Sequence, residues 1–206
     1  MEKLFANVPV RQLAKGQILI YEGDTIQSIF FLVSGYVKVS NILVNGARRT
    51  IFIYAPGDAF PLTSFLSGIG VARYFYETIT DVEVKVMPHK KLQSLIQGDL
   101  KTGEELIAYT YNLNEQFIDR IEMLSERSAR HKVAALLAYL SDKTGAPHGD
   151  KIRLKIPLTS QSIADMCSLT RETASMQIIQ LRKDGVISGT RFLNVDQARL
   201  KKLVNS

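Results

Sequence analysis

Two threonines, Thr159 and Thr170, each precede a short stretch in which apolar residues recur at helical spacing. Threonine is a favoured N-cap residue, because its hydroxyl accepts a hydrogen bond from a backbone N–H that the first helical turn leaves unpaired. We therefore predict one helix that follows Thr159 and ends near Met166, and a second that runs from Thr170 to about Lys183. Two short helices joined by a tight turn are an arrangement with which proteins read DNA.

The second predicted helix carries side chains at its N-terminal end that suit the recognition of base pairs. Arg171 can donate two hydrogen bonds to guanine, and Glu172 can accept one from cytosine. The threonine caps can bind phosphate where the two helices begin. We expect the following residues to contact DNA: Thr159, Ser160, Gln161, Thr170, Arg171, Glu172, Thr173, Ser175 and Met176. The apolar residues of the two helices are expected to be buried: Ile163, Ala164, Met166, Ala174, Ile178 and Leu181.

The distribution of charge favours a polyanionic partner for this region. Residues 1–128 hold 13 Lys and Arg against 14 Asp and Glu, whereas residues 129–206 hold 13 against 6. Basic side chains bind nucleic acid by displacing counterions from its phosphates. An ordinary helical hairpin with a solvated charged end is the alternative interpretation, and the concentration of charge in one segment weighs against it.

The first hundred residues predict an antiparallel barrel or roll. Short β-rich stretches alternate with glycine turns about every ten residues, and Asn45-Gly46 is a strong hairpin signal. Strands are expected at residues 17–21, 29–33, 36–39, 49–54 and 77–87.

The stretch from Glu104 to Glu126 contains neither Pro nor Gly and predicts an amphipathic helix of roughly six turns. A helix of this length exceeds what a roll of this size needs to cover itself, which indicates contact with a second copy of the chain. The residues expected to form that dimer interface are Leu106, Leu113, Phe117 and Leu124. Glu115, Gln116 and Arg120 lie near this seam and could set its register. Packing on its own domain alone is the alternative.

The remaining segments complete a C-terminal unit. We predict a helix over residues 129–140, a loop over residues 145–150 and an edge strand over residues 151–156 with one basic face. The predicted domains are an effector domain (residues 1–103), a dimerisation helix (residues 104–128) and a DNA-binding domain (residues 129–206).

Several segments resemble CRP/FNR-type bacterial transcription regulators. The R-E-T-x-S sequence of residues 171–175 is the most specific match, and residues 158–166 and 181–187 resemble the segments before and after it. Residues 16–24, 33–37 and 56–58 are similar to the cyclic-nucleotide-binding-like domain of that family. The resemblance implies an α+β fold: an N-terminal antiparallel β jelly roll, a long dimerisation helix and a C-terminal winged helix-turn-helix.

The resemblance also implies a function. The protein is expected to be a homodimeric regulator that binds double-stranded DNA at a palindromic site. If it is an activator, it is also expected to contact RNA polymerase; the sequence does not distinguish activation from repression. The sequence contains no Ser/His/Asp set, no paired carboxylates and no phosphate-binding loop. These are patterns that would indicate an enzyme, so no catalytic activity is expected. The alternatives are a cyclic-nucleotide-binding module that controls a partner enzyme, and a regulator that acts without an effector.

Two departures concern the DNA-binding segment. Met176 stands where the family usually has an arginine. Methionine cannot form the two hydrogen bonds to guanine but can contact a thymine methyl, so the operator is expected to differ at that base pair. Ser168 stands at the glycine of the turn, which restricts the backbone without breaking the motif.

The effector segment departs further from the family pattern. Binders of cyclic AMP place a glutamate on the ribose and an arginine, followed by small residues, on the phosphate. Here residues 60–63 contain no acid, and Arg73 is followed by Tyr74, so cyclic AMP is not the expected effector. The effector pocket is expected to be formed by Phe60, Leu62, Thr63, Arg73, Tyr74, Glu115 and Gln116. An aromatic cluster is expected to lie in the core or to line that pocket: Phe60, Phe65, Tyr74, Phe75 and Tyr76.

No cofactor is expected. The single cysteine, Cys167, lies in the helix-turn-helix and is predicted to pack as a small apolar residue. The three histidines are far apart, so the sequence offers no ligand set for a metal, an iron–sulfur cluster or haem. No apolar stretch reaches about 18 residues and the N-terminus lacks a signal peptide, which predicts a cytoplasmic protein without a membrane partner.

Overall fold

The computed structural model describes residues 1–126 and 128–204. The chain divides into two compact units: Met1–Leu43 with Ile51–Ile118, and Val44–Thr50 with the chain from Asp119 onward. Within the part described, no helix is both long and apolar enough to cross a membrane. The division into three domains stays a prediction; Arg127 and residues 205–206 lie outside the described residues.

The N-terminal part is built from antiparallel strands and flanking helices. A 3-10 turn at Glu2–Phe5 precedes the strands. The strands are β1 (Val10–Leu13), β2 (Ile18–Ile20), β3 (Ser28–Ser34), β4 (Val37–Ile42), β5 (Arg48–Tyr54), β6 (Ala59–Phe60), β7 (Phe75–Thr78) and β8 (Val82–Pro88). The helices are α1 (Leu62–Leu66), α2 (His89–Gly98) and α3 (Leu100–Ser125).

The strands form two four-stranded sheets, ordered β1-β8-β3-β6 and β2-β7-β4-β5. Successive side chains of a strand point to opposite faces of its sheet. On β3, Leu32 packs into a core cluster with residues of the second sheet, such as Val39 and Tyr76. Ile29 and Phe31 on its other face pack against helical residues. At β3 the first sheet is therefore covered on both faces, by the second sheet on one side and by helices on the other.

The strand predictions hold with one correction. The pattern over residues 77–87 is not one strand but parts of β7 and β8, which are separated by a turn. The chain turns there because β7 and β8 belong to different sheets. The turn packs closely against Gly35, whose φ is +81° and where a Cβ would collide with the carbonyl oxygen of Asp81. The turn is held by the backbone N–H of Tyr36, which donates to the hydroxyl of Thr80 (2.9 Å).

The long helix α3 begins at Leu100, four residues earlier than the sequence indicated. Asp99 explains this start, because its carboxylate accepts hydrogen bonds from the backbone N–H (3.1 Å) and the hydroxyl (2.7 Å) of Thr102. Such an N-cap stabilises the first turn. The same hydroxyl hydrogen bond lowers the pKa of Asp99.

The predicted seam of α3 faces the chain's own core. Leu106 and Leu113 are only 2% and 1% exposed, which leaves little of either side chain for a second copy to contact. The ring of Phe117 lies 4.8 Å from that of Phe52, and Leu124 is half-buried. Most of the apolar side chains that α3 exposes lie on an adjacent side of the helix, about a quarter turn from this seam. This side is here called the outer face: Ile107, Tyr111, Ile118 and Ile121.

The second unit contains helices and a small sheet. Its elements are α4 (Ala129–Thr144), β9 (Gly145–His148), β10 (Lys151–Leu154), α5 (Ser160–Cys167), α6 (Arg171–Lys183), β11 (Ile187–Ser188), β12 (Asn194–Val195) and α7 (Gln197–Val204). The sheet order is β11-β12-β10-β9.

Two predictions for this unit are wrong. Residues 145–148 of the predicted loop form strand β9, and β10 lies between β12 and β9 rather than at an edge. Pro147 indicated a loop, since proline has no N–H to donate to a sheet. Pro147 pairs with Ile152 of β10. Because β9 is the edge strand of the sheet, one side of its backbone needs no partner, and a proline is tolerated there.

Candidate DNA-binding site

Helices α5 and α6 each begin directly after a threonine whose hydroxyl caps the first turn. The hydroxyl of Thr159 accepts from the N–H of Ser162 (3.0 Å), and the N–H of Thr159 donates to the hydroxyl of Ser162 (2.8 Å). This reciprocal pair is a capping box. The hydroxyl of Thr170 accepts from the N–H of Thr173 (3.2 Å). Both N-caps and both helix ends predicted from the sequence are confirmed within about one residue.

The turn between the two helices depends on Ser168. Its φ of +55° and ψ of +42° place it in the left-handed region, which explains why glycine suits this position. The N–H of Leu169 donates to the carbonyl of Ala164 (3.1 Å) and closes the turn. The serine therefore adopts the left-handed conformation, and the turn forms without the glycine.

The apolar faces of the two helices form the interior of the motif. The residues predicted to be buried are at most 9% exposed: Ile163, Ala164, Met166, Ala174, Ile178 and Leu181. With these side chains inside, the polar N-terminal end of α6 is left at the surface.

Most of the predicted DNA contacts lie at the surface. The exposed residues are Thr159, Gln161, Thr170, Arg171, Glu172 and Met176, and the half-buried ones are Ser160, Thr173 and Ser175. Gln161 has a second role, because its side-chain amide donates to the carboxylate of Asp165 (2.7 Å). That these residues touch DNA stays a prediction.

A groove of about 390 Å³ brings three of these positions together with residues that the sequence reasoning missed. Thr159, Ser160 and Ser175 line it beside Arg191 and the missed residues, which are Ile179, Arg182 and Thr190. Ile179 lies one turn after Met176 on α6 and is 50% exposed. Its spacing from Ser175 and Met176 was the signal that could have placed it on the same face.

The segment between β11 and β12 is fixed beside α6. The guanidinium of Arg182 donates to the carbonyl of Gly189 (2.9 Å). Arg153 and Arg191 each lie 5.8 Å from the ring centre of Phe192, within the range of cation–π attraction. This β-hairpin is the wing of the winged helix, and positive charge lies on it and beside it.

The C-terminal end of α6 is anchored to α4. Arg130 forms an ion pair with Asp184 (2.6 Å), and the side-chain amide of Gln180 donates to the same carboxylate (3.0 Å). The hydrogen bond from Arg130 lowers the pKa of Asp184 most, followed by the one from Gln180. The carboxylate therefore stays charged and holds α6 in place at neutral pH.

The residues predicted to form an effector pocket differ widely in burial, and that they form a pocket stays a prediction. Phe60 is fully buried, with its ring 5.1 Å from Tyr54 and 5.5 Å from Tyr76. Leu62 belongs to the other core cluster of the first unit. Arg73 and Glu115 are exposed, whereas Thr63, Tyr74 and Gln116 are half-buried.

The predicted aromatic cluster is also divided. Phe60 and Tyr76 stack in the core, and burial raises the pKa of Tyr76. Phe75 instead contacts the edge of Tyr21, and the ring of Phe65 lies 5.2 Å from that of His89. Core packing therefore explains these residues better than a shared pocket.

Cys167 packs as the sequence predicted, fully buried beneath the turn. Its thiol points at the carbonyl of Lys132 (3.6 Å). Burial raises the pKa of the thiol to about 12, although the nearby charges of Arg120 and Lys132 oppose this.

Iodoacetamide is expected to alkylate Cys167 at least ~100-fold more slowly in the folded protein than in urea, because only the thiolate reacts. The measurement is the mass increase with time at pH 8, which is unambiguous because the chain has one cysteine. Equal rates in the two states would show that the thiol is accessible and not held beneath the turn.

Two family models match the two parts of the chain. Residues 10–99 match the cyclic nucleotide-binding domain, and residues 131–203 match the Crp-like helix-turn-helix domain. A winged helix-turn-helix with this N-terminal roll defines a DNA-binding transcription regulator.

Similar proteins cover nearly the whole chain. The transcriptional activator protein FnrL of Cereibacter sphaeroides is 27% identical over 199 residues, which is 92% of this chain and 78% of the relative. The regulator ArcR of Staphylococcus epidermidis is 26% identical, over 86% of this chain and 77% of the relative. The structure of FixK2 from Bradyrhizobium japonicum is 25% identical, with a TM-score of 0.82 over 95% of this chain and 96% of that one. The chain belongs to the CRP/FNR family of transcription regulators.

Proposed function

We propose that the protein is a homodimer that binds a palindromic DNA site through the N-terminal end of α6. The observation that carries this is the exposure of Arg171 and Glu172 in the first turn of a capped helix that is anchored at its other end. The arginines at the wing, Arg153 and Arg191, would contact phosphates beside it. Regulators of this family bind DNA and act as dimers.

The outer face of α3 supports a second copy of the chain as the partner. Ile107, Tyr111, Asn114, Ile118 and Ile121 recur at the spacing of the a and d positions of a heptad. Ile107 and Ile121 are 73% and 63% exposed. Such a seam is buried when two helices pair, and a polar residue such as Asn114 fixes their register. We therefore assign the dimer interface to this face instead of the buried seam of Leu106 and Leu113.

A gel shift with fragments of the source genome tests this proposal. It distinguishes a DNA-binding regulator from the alternative, a cyclic-nucleotide-binding module that controls a partner enzyme. A small subset of fragments is expected to be retained in the presence of excess unrelated DNA. If no fragment is retained, or all are retained equally, sequence-specific regulation is excluded.

We further propose that the effector is a small molecule other than cyclic AMP. Leu62 is buried where an acid would bind the ribose, and stacked aromatic rings fill the core around Phe60. Arg73 is exposed and precedes Tyr74, so a buried phosphate would lack a matched cation. A regulator that acts without an effector is the second candidate.

Calorimetry is expected to show no saturable binding of cyclic AMP. The reason is the missing ribose acid and the missing phosphate cradle in the first unit. Heat that saturates at micromolar cyclic AMP would contradict this expectation.

A further inference from the structure

Arg120 is a charged residue buried near the end of α3. It is only 5% exposed and belongs to the second unit. One guanidinium nitrogen, Nη2, donates to the carbonyl oxygens of Thr50 (3.2 Å) and Met166. The other, Nη1, points at the sulfur of Met123, and the guanidinium lies 5.9 Å from the ring centre of Tyr139.

The carbonyl of Met166 lies in the last turn of α5, immediately before the turn to α6. Carbonyls at the C-terminal end of a helix lack partners within the helix, and a cation there is favoured by the helix dipole. Arg49 reaches the same place, because its guanidinium donates to the hydroxyl of Ser168 (3.0 Å). Two arginines therefore converge on the end of α5 from outside the helix-turn-helix.

A buried guanidinium must be well bonded, because removing its charge from water is expensive. The planar arrangement of its donors fixes the acceptors in space, which a lysine ammonium cannot do to the same extent. Arg120 thus links three elements at fixed distances: α3, the first part of β5 and α5. The sequence signal was a charged residue that continues the buried spacing of Leu113 and Phe117.

We propose that Arg120 is a positioning residue for DNA recognition, which fixes the turn between α5 and α6 to the end of α3. The inference rests on the proposed dimer: if each helix-turn-helix is held to its dimer helix, the two α6 helices keep the spacing of the two half-sites. Loss of this link leaves each half intact but removes the advantage of binding both halves at once.

The test uses the palindromic duplex selected by the wild-type protein and the same duplex with one half-site scrambled. Arg120→Met is expected to lower affinity for the full site ~10- to 100-fold while leaving the affinity for the single half-site within about twofold. Arg120→Lys keeps the charge and part of the bonding, so its loss is expected to be intermediate. Arg11→Met, which removes an exposed arginine from β1, is the control and should match the wild type.

The outcomes are distinguishable. An Arg120→Met protein that keeps the wild-type ratio of full-site to half-site affinity overturns the positioning role. Equal losses on both duplexes overturn it too, because they show damage within the helix-turn-helix. If Arg120→Met does not fold by circular dichroism, the ratio for Arg120→Lys decides in the same way. A wild-type protein that binds both duplexes equally instead refutes the proposed dimeric recognition itself.

Discussion

Replacing Ile107 and Ile121 by glutamate is expected to yield a folded monomer whose affinity for the operator is at least ~100-fold lower. Both side chains lie on the outer face of α3 and are mostly exposed, so the change does not disturb the core of the chain. In a dimer it would place like charges opposite one another in an apolar seam. Light scattering measures the mass, and fluorescence anisotropy with the selected duplex measures the affinity.

Two further variants make this experiment specific. Asn112→Glu adds a charge at an exposed position on another side of α3, and it should remain dimeric. Leu113→Glu with Phe117→Glu, the pair that the sequence alone would choose, puts charges among buried residues and should unfold the first unit instead. A dimeric mass for the protein that carries both Ile107→Glu and Ile121→Glu would refute the proposed interface.

Arg171→Ala is expected to weaken operator binding by ~1–3 kcal/mol per half-site and to relax the preference at one base pair. Arg171 is the first residue of α6 and is exposed, so its two donors can reach a guanine edge in the major groove. The measurement is a binding titration with the selected duplex and with duplexes altered at single base pairs.

Lys183→Ala is the matched control, because it removes a positive charge from the opposite end of the same helix. If this lysine neutralises a phosphate, the substitution should weaken binding to all sequences alike and make the salt dependence shallower by about one unit. A loss of base preference in Lys183→Ala, with none in Arg171→Ala, would reverse the roles assigned to the two ends of α6.

Local chemistry explains why the helix-turn-helix could be predicted so closely. Thr159 and Thr170 satisfy backbone donors of their own helices, so their effect does not depend on the rest of the fold. The same holds for Asn45-Gly46, where Gly46 adopts a positive φ between β4 and β5.

The wrong predictions concern features that depend on contacts between distant parts of the chain. Helix α3 carries apolar residues on two faces, and its sequence does not say which face the sheets cover. Strand β9 contains Pro147, and only the position of β9 at the edge of its sheet makes that residue compatible with a strand.

In the candidate site, too, local features could be predicted from the sequence and long-range contacts could not. The first turn of α6 could be predicted, because its cap and its polar residues are adjacent in sequence. Arg120 could not be assigned its role, because its acceptors at Thr50 and Met166 are far away along the chain. The effector residues were chosen by resemblance, and the resemblance could not show that Phe60 and Leu62 pack into different core clusters.

Selection from randomised duplexes tests most directly whether α6 reads the bases. With the wild-type protein we predict a palindrome whose half-site centres lie about 34 Å, or a multiple of it, apart. Arg171→Ala should lose the preference at one base pair of each half-site, and Met176→Arg should gain a preference for guanine at another. If all three proteins select the same sequence, α6 is not the helix that reads the bases, and the proposed recognition is wrong.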